Sequence, residues 1–522
     1  MGAPQTSRAA LPPLPATARV GVVGTGAMGA GIAQVAAQAG HPVFLYDQQP
    51  GAAARAVDGI RAQLARLADK GRLSPAQAEA ASARLAPVDS LAGLAGAALV
   101  VEAIVENLEA KQALFRQLEA LLAPDALLGT NTSSISVTAI GAALQHPGRL
   151  AGLHFFNPAP LMALVEVVSG LATDPAVAHT LFATAAAWGK TPVHARSTPG
   201  FIVNRVARPY YAEALRILQE GGADCATLDA LMRDAGGFRM GPFELMDLIG
   251  HDVNFAVTRS VWSAFYHDPR FTPSLIQQEL VEAGFHGRKR GRGFYDYRDG
   301  AQRPAPAVMA DQPRPQPGCI VLWDASDVAL ALADRLHARG VAYTWGEGPA
   351  PADGRIAQAG EGVLYLTDGR TATQRAAQSG VANTVLLDLA LDYAQAPRIA
   401  ISAAQGCWAP ALGAVCGLLQ AAGFEVSRLA DLPGLALMRT VAMLANEAAD
   451  AVNQGVCDVA GADAAMCLGV NYPLGPLAWA DRIGLAAIGA VLGHLAGFYG
   501  EDRYRISPLI QQRIYAGKRL HE

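Results

Sequence analysis

Residues 19–29 constrain this 522-residue chain more than any other stretch. Arg19-Val20-Gly21-Val22-Val23 is a short β-rich run that leads straight into Gly24-Thr25-Gly26-Ala27-Met28-Gly29. An Ala-rich segment with no proline before Pro42 follows and reads as a helix. Strand, Gly-rich turn and helix in that order suit a bound pyrophosphate. Gly24 permits the turn, Gly26 lets the backbone approach the phosphates, and Gly29 lets the helix pack closely on the strand. The helix N-terminus adds free N–H groups and a partial positive charge. Pro42 to Asp47 then reads as a second strand ending in an acid, 18 residues past Gly29. A carboxylate there accepts from a ribose hydroxyl and repels a 2′-phosphate, which favours NAD over NADP. Gly24, Gly26, Met28, Gly29 and Asp47 are the first candidate cofactor residues. The bland alternative is an ordinary tight βα turn.

The length exceeds one ordinary core, so several domains are expected. With 51% hydrophobic and 16% charged residues the chain reads as globular, not disordered. A net charge of −4 gives no general pull towards nucleic acid or an anionic membrane. No uncharged apolar run reaches the roughly 18–20 residues that span a bilayer. Six cysteines without a C-x-x-C spacing fit free thiols in a reducing compartment. A cytoplasmic setting without a metal site is therefore expected. Met1 to Ala18 is Pro- and Ala-rich, lacks the apolar core of a signal peptide, and is expected to be disordered.

Alternating strand and helix patterns predict a doubly wound parallel sheet over 19–197, with one long helical segment from Ala52 to Leu85. Thr198-Pro199-Gly200 opens a helical domain, 198–300. Residues 301–318 carry five prolines and read as a linker. Strand-like runs in 319–430 predict a second, degenerate α/β layer whose first strand has no glycine fingerprint. Within 431–522 the first helical domain recurs. Pro199-Gly200 reappears as Pro433-Gly434, Gly241-Pro242 as Gly475-Pro476, and Leu275-Ile276-Gln277-Gln278 as Leu509-Ile510-Gln511-Gln512. Every pair differs by 234, so a duplicated helical domain is expected.

Four further motifs stand in order: Val101-Glu102-Ala103-Ile104-Val105-Glu106-Asn107, Asn131-Thr132-Ser133-Ser134, His154-Phe155-Phe156-Asn157-Pro158 and Gly200-Phe201-Ile202-Val203-Asn204-Arg205. With them the chain resembles the L-3-hydroxyacyl-CoA dehydrogenase family, continuously over 19–300 and again in part over 430–519. The resemblance implies NAD as cofactor and a 3-hydroxyacyl-CoA as substrate. It implies His154 as the base for the 3-hydroxyl proton, a role an imidazole near its working pH suits. Glu166 is an acid inside an apolar run, costly to bury without a partner, and pairing with His154 would supply one. Ser133 and Asn204 resemble the family's substrate contacts, which puts the site in an interdomain cleft; an N-cap is the plain reading of Ser133.

By the same resemblance Glu106, Lys111 and Asn131 line the nicotinamide–ribose side, and Lys70 is a candidate for the CoA phosphates. The basic run holding Lys289 either closes over phosphates or is a solvated loop. Offset 234 sets Met438 opposite Asn204, so one working site and one NAD per chain are expected, with the second helical copy serving as an intrachain partner in a pseudo-dimer. The fused form resembles bacterial enzymes of aromatic-acid catabolism that act on 3-hydroxyadipyl-CoA; 3-hydroxybutyryl-CoA is the alternative. A distal carboxylate would need a cation, and Arg205, Arg208 and Arg239 are candidates. A β-hydroxyacid dehydrogenase relying on a catalytic lysine, or a silent NAD-binding structural protein, are the competing readings.

Overall fold

A computed structural model describes residues 12–316, 318–323, 326–348 and 353–522. The chain divides into two compact units, one running to Arg205 and taking in Gln454–Val470, the other comprising Val206–Asn453 and Asn471–Glu522.

The first unit is built on an eight-stranded sheet of β1 (Val20–Val23), β2 (Val43–Tyr46), β3 (Leu85–Pro87), β4 (Leu99–Glu102), β5 (Leu127–Thr130), β6 (Leu150–Phe155), β7 (Leu164–Ser169) and β8 (Thr191–Arg196). Their spatial order is β3-β2-β1-β4-β5-β6-β7-β8. β1 and β4 are buried along their whole length, as strands covered on both faces must be. The sheet is not wholly parallel as expected, because β6 and β7 pair antiparallel. Only residues 156–163 join them. A parallel crossover needs about a dozen residues or more, so the chain turns back instead. The expected long helix is also two, Ala52–Asp69 and Pro75–Ala83, followed by β3. Ser74 restarts the helix with a capping box to Gln77, and Pro75 occupies the first turn.

Two other expectations need correction. Residues 1–11 of the expected disordered N-terminus lie outside the described residues, and 12–18 are held in place. Leu14 N–H donates to Thr184 Oγ1 at 3.0 Å, and the His41 ring nitrogen lies 2.9 Å from the Ala18 carbonyl. The Pro-rich stretch after Gly300 has no helix or strand among its described residues, yet it is tied down. Ala307 N–H donates to Thr227 Oγ1, Met309 N–H to the Val426 carbonyl, and Gln312 N–H to Gln420 Oε1. Prolines remove backbone donors without preventing the remaining ones from pairing.

The second unit holds a seven-stranded sheet of β9 (Ile320–Leu322), β10 (Thr344–Trp345), β11 (Arg355–Ala359), β12 (Gly362–Leu366), β13 (Thr384–Leu387), β14 (Arg398–Ala403) and β15 (Glu425–Arg428). Along β12-β13-β14-β15 the pairing runs parallel, antiparallel, parallel, the same sequence as β5 to β8. Helices of this unit recur at the offset of 234. Pro242–Ile249 matches Pro476–Ile483, and His251–Ala264 matches Leu485–Tyr499. Backbone detail recurs too. Phe201 and Leu435 both hold positive φ, 47° and 53°, a conformation rare for bulky side chains.

In the Gly-rich turn, Gly24 has φ +89°, and a Cβ at Gly29 would overlap the Gly24 carbonyl. A Cβ at Gly26 would meet nothing within 4 Å. Gly29→Val should therefore lower stability by about 1–3 kcal/mol through overpacking, whereas Gly26→Ala should leave the unfolding curve unchanged and weaken dinucleotide binding. Denaturant melts and NADH fluorescence titration separate the two; equal stability loss at both positions would contradict the geometry.

Candidate active site

All the residues considered first lie in the unit that contains the eight-stranded sheet. At its carboxyl edge β6 ends in His154 and Phe155, and the antiparallel register sets His154 directly opposite Glu166 on β7. The two side chains meet, with His154 Nδ1 2.6 Å from Glu166 Oε2. Glu166 is fully buried. Its other oxygen, Oε1, accepts from the backbone N–H groups of Ile202 and Val203 at 3.1 and 3.0 Å. Those groups open the short helix Val203–Val206, whose second residue is Asn204. One carboxylate therefore orients the imidazole and caps the helix that presents Asn204. With Nδ1–H given to Glu166, Nε2 is left as the proton acceptor. Phe156 and Phe201 pack on the ring at centroid distances of 4.5 and 5.8 Å, limiting water around it.

Asn204 Nδ2 donates to the Ser133 carbonyl at 3.4 Å, which brings the third and fourth expected residues together. The Ser133 segment is held by Glu106. Oε1 of Glu106 accepts from Thr132 Oγ1 at 2.7 Å, Ser133 N–H at 3.0 Å and Ser134 Oγ at 2.9 Å. Burial pushes the Glu106 carboxyl up, but these hydrogen bonds and the Lys111 ammonium outweigh it and hold it at about 2. Lys111 is buried, with Nζ 2.6 Å from Glu102 Oε1 and 3.2 Å from Glu106 Oε2. Asn131 Oδ1 accepts from Phe155 N–H at 2.9 Å, so this side chain braces the end of β6 beside His154.

Sequence reasoning missed the base of this network. Glu102, fully buried at the end of β4, accepts from Thr130 Oγ1 at 2.6 Å and Ile104 N–H at 2.7 Å besides Lys111. The signal was present, since an acid ending an apolar strand invites the same argument as Glu166.

The Gly-rich turn lies at the same edge of the sheet. The helix Ala27–Gln38 begins at Gly26 with no side-chain cap, leaving its first N–H groups available. Asp47 Oδ2 accepts from Thr25 N–H and Oγ1 at 2.8 and 2.9 Å. Although burial opposes it, hydrogen bonds from Gln49 and Thr25 lower the Asp47 carboxyl, so it stays ionised. A cavity of about 550 Å³ runs from Gly24, Thr25 and Gly26 past Asp47 to Ile104 and Val105. Uncapped N–H groups, a side-chain-free Gly26 and an ionised acid at the end of β2 fit a dinucleotide with an unmodified ribose.

The remaining candidates are less involved. Met28 is half-buried and packs against the core under the turn. Lys70 is exposed at the end of the helix Ala52–Asp69. Lys289 belongs to the other unit, where its Nζ pairs with Asp252 at 2.6 Å.

A βα phosphate turn, an NAD-type acid and a His–Glu pair on one sheet edge define an NAD-dependent dehydrogenase. The 3-hydroxyacyl-CoA dehydrogenase NAD-binding domain matches residues 19–198. The C-terminal domain of that family matches twice, at 200–297 and 434–520, and a reduced Rossmann-fold domain of 3-hydroxybutyryl-CoA dehydrogenase matches 364–433. The chain belongs to the 3-hydroxyacyl-CoA dehydrogenase family. The 3-hydroxyadipyl-CoA dehydrogenase of Escherichia coli K12 is 46% identical over 95% of this chain and 97% of its own. The mitochondrial hydroxyacyl-coenzyme A dehydrogenase of Sus scrofa is 40% identical over 53% of this chain and 91% of its own. Among solved structures, a 3-hydroxybutyryl-CoA dehydrogenase from Escherichia coli K12 superposes with a TM-score of 0.85 at 44% identity, covering 96% of this chain and 98% of that one.

The low value for Glu106 has a measurable consequence. A folded-state value below the ordinary 4.5 adds stability that is present above that value and lost as pH falls towards about 2. Replacing Glu106 with Gln should flatten the stability profile in that window. Chemical denaturation between pH 5 and 2.5 reads it; parallel wild-type and variant profiles would contradict the network.

Proposed function

We propose that His154 is the general base of NAD-dependent 3-hydroxyacyl-CoA oxidation, held by Glu166, with Ser133 and Asn204 positioning the substrate. The observation that carries this reading is the 2.6 Å contact between His154 Nδ1 and the fully buried Glu166. NAD, held by the Gly24–Gly29 turn and Asp47, would supply the acceptor for the hydride lost from C3. His154 Nε2 takes the 3-hydroxyl proton, and the Glu166 carboxylate stabilises the imidazolium that results. The Ser133 hydroxyl and the Asn204 amide hold the 3-oxygen and the neighbouring carbonyl in line for transfer. Glu106, Lys111 and Asn131 act behind them, fixing the 131–134 segment and the end of β6. A silent structural role is disfavoured because a scaffold has no need of a buried His–Glu pair on the sheet edge that carries the Gly-rich turn.

For the acyl group, 3-hydroxyadipyl-CoA is the favoured substrate, since similarity to the enzyme named for it extends over 95% of the chain. 3-Hydroxybutyryl-CoA is the second reading, favoured by the name of the solved relative. A cytoplasmic setting fits six free cysteines.

The helical domain is read as a tandem duplication acting as an intrachain pseudo-dimer. Two hydrogen bonds support it. In one unit Arg196 N–H donates to the Val456 carbonyl; in the other Ala430 N–H donates to the Gly222 carbonyl. Arg196 and Ala430 differ by 234, and so do Gly222 and Val456, so the two bonds are the same contact with the copies exchanged, as in a self-matching two-fold contact. Linking the halves makes that contact independent of protein concentration.

His154→Ala should lower kcat about 100- to 10,000-fold with NADH affinity nearly unchanged; steady-state kinetics with 3-hydroxyadipyl-CoA and NADH titration check it, and a fully active variant would sink the assignment. Calorimetry should count one NAD per chain, because Met438 stands at the Asn204 position and the second sheet lacks the Gly-rich turn. Two sites per chain would refute the silent second copy.

A further inference from the structure

The second unit contains a further cavity, of about 230 Å³, lined by its helices, that the reaction described above does not use. Arg208, Arg216, Arg270 and Arg503 line it, and no Asp or Glu does. Three of these cations have carboxylate partners. Arg270 pairs with Asp268, Glu447 and Asp450; Arg216 and Arg503 share Glu501. Arg208 has none among the described residues. It is 94% buried (6% exposed), its Nη1 donates to Thr258 Oγ1 at 3.1 Å, and its Nε finds no acceptor. The Ser274 hydroxyl on the same wall is also without a hydrogen-bond partner. Burial draws the Arg208 guanidinium below its usual range, and only tyrosines oppose it.

An unpaired buried charge is among the costliest features a fold can hold. The fold itself does not demand this one. At the offset of 234 the second copy has fully buried Ala442 in place of Arg208, and Asp450 in place of Arg216. Two of the cations that line the cavity thus have an apolar and an acidic residue at the matching positions of the second copy. Guanidinium groups in a fork geometry match a carboxylate, and Tyr211, Leu215, Phe271 and Leu275 supply an apolar wall alongside.

We propose that this cavity binds the carboxylate end of a short aliphatic acid, with Arg208 as its principal cation. Two sources share that chemistry: a free dicarboxylate, or the distal carboxylate of an ω-carboxyacyl-CoA substrate, the latter resting on the substrate reading given above. Of the three arginines considered from the sequence, Arg205 is fully buried and bonded to Gln454, and Arg239 is exposed. Arg208 alone is both buried and unpaired.

Hydrogen exchange on the wild-type protein locates the site without any substitution. Adipate, or adipyl-CoA but not butyryl-CoA, should slow exchange in the segments 208–219 and 269–277. Protection by adipate itself identifies a free acid; protection by adipyl-CoA alone identifies the substrate's distal end. Arg208→Gln should abolish that protection, and in the second case raise the KM for 3-hydroxyadipyl-CoA relative to that for 3-hydroxybutyryl-CoA by about tenfold or more, the loss expected for one charge-assisted hydrogen bond. Arg208→Lys keeps the charge without the fork and should recover part of the effect. Absence of protection by either ligand at saturating concentration would overturn the proposal, as would full protection in a folded Arg208→Gln protein. Failure of every 3-hydroxyacyl-CoA to turn over would instead sink the substrate reading, while adipate binding would still report on the cavity.

Discussion

The Glu166 carboxylate is the tie on which the rest of the site depends. Taking a carboxylate fully out of water costs several kcal/mol unless its lone pairs are met. Here His154 meets one oxygen, and the N–H groups of Ile202 and Val203 meet the other. Because those partners come from β6 and from the start of a helix, the strand register, the imidazole and the Asn204 helix are set by a single buried group. None can shift without leaving the charge unsatisfied.

A second buried acid does similar work three strands away in the sheet, on β4. Glu102 gathers Thr130, Lys111 and the Ile104 N–H at the end of β4, and Lys111 carries the tie onward to Glu106 and the 132–134 turn. Glu102 closes β4 at its carboxyl end, and Glu166, near the start of β7, lies at the same edge because β7 runs antiparallel to β6; the Gly-rich turn opens there too. The parallel arrangement of β1, β4, β5 and β6 puts those ends side by side. The Gly-rich turn, Asp47 and the His154–Glu166 pair thereby share one sheet edge, whose strands fix their positions.

Much of this was legible in the residues. The strand–turn–helix of 19–38, the acid at Asp47 and the pairing of His154 with Glu166 follow from patterns whose physics is local or whose cost of burial is obvious. The internal offset of 234 was readable because it needs no knowledge of contacts at all. What was not legible depended on distance in the chain. The antiparallel turn of β7 follows from a link too short for a crossover, which a strand pattern alone does not weigh. The hold on residues 12–18 and on the stretch after Gly300 comes from Thr184, Thr227 and Val426, far along the chain. Composition marked both stretches as loose, and long-range hydrogen bonds overrode it. The unpaired state of Arg208 was equally invisible, since only packing reveals which arginine lacks a carboxylate.

The second sheet holds a detail with a longer reach. Offset 234 sets Asp388 at the position of His154 and Ala400 at that of Glu166. Asp388 is buried, its carboxyl pushed up to about 6, and it accepts directly from the N–H groups of Ala436, Leu437 and Met438. Where Glu166 reaches across from β7 to cap its helix, Asp388 caps the matching helix from the residue after β13. One side chain at 388 stands where the first sheet uses the pair His154 and Glu166. Histidine at 388 would strip the helix of its cap, and glutamate at 400 would bring a second carboxylate to N–H groups that Asp388 already holds. Neither step alone reproduces the His154–Glu166 arrangement, so the two sheets differ at this edge by a whole hydrogen-bond pattern and not by one side chain.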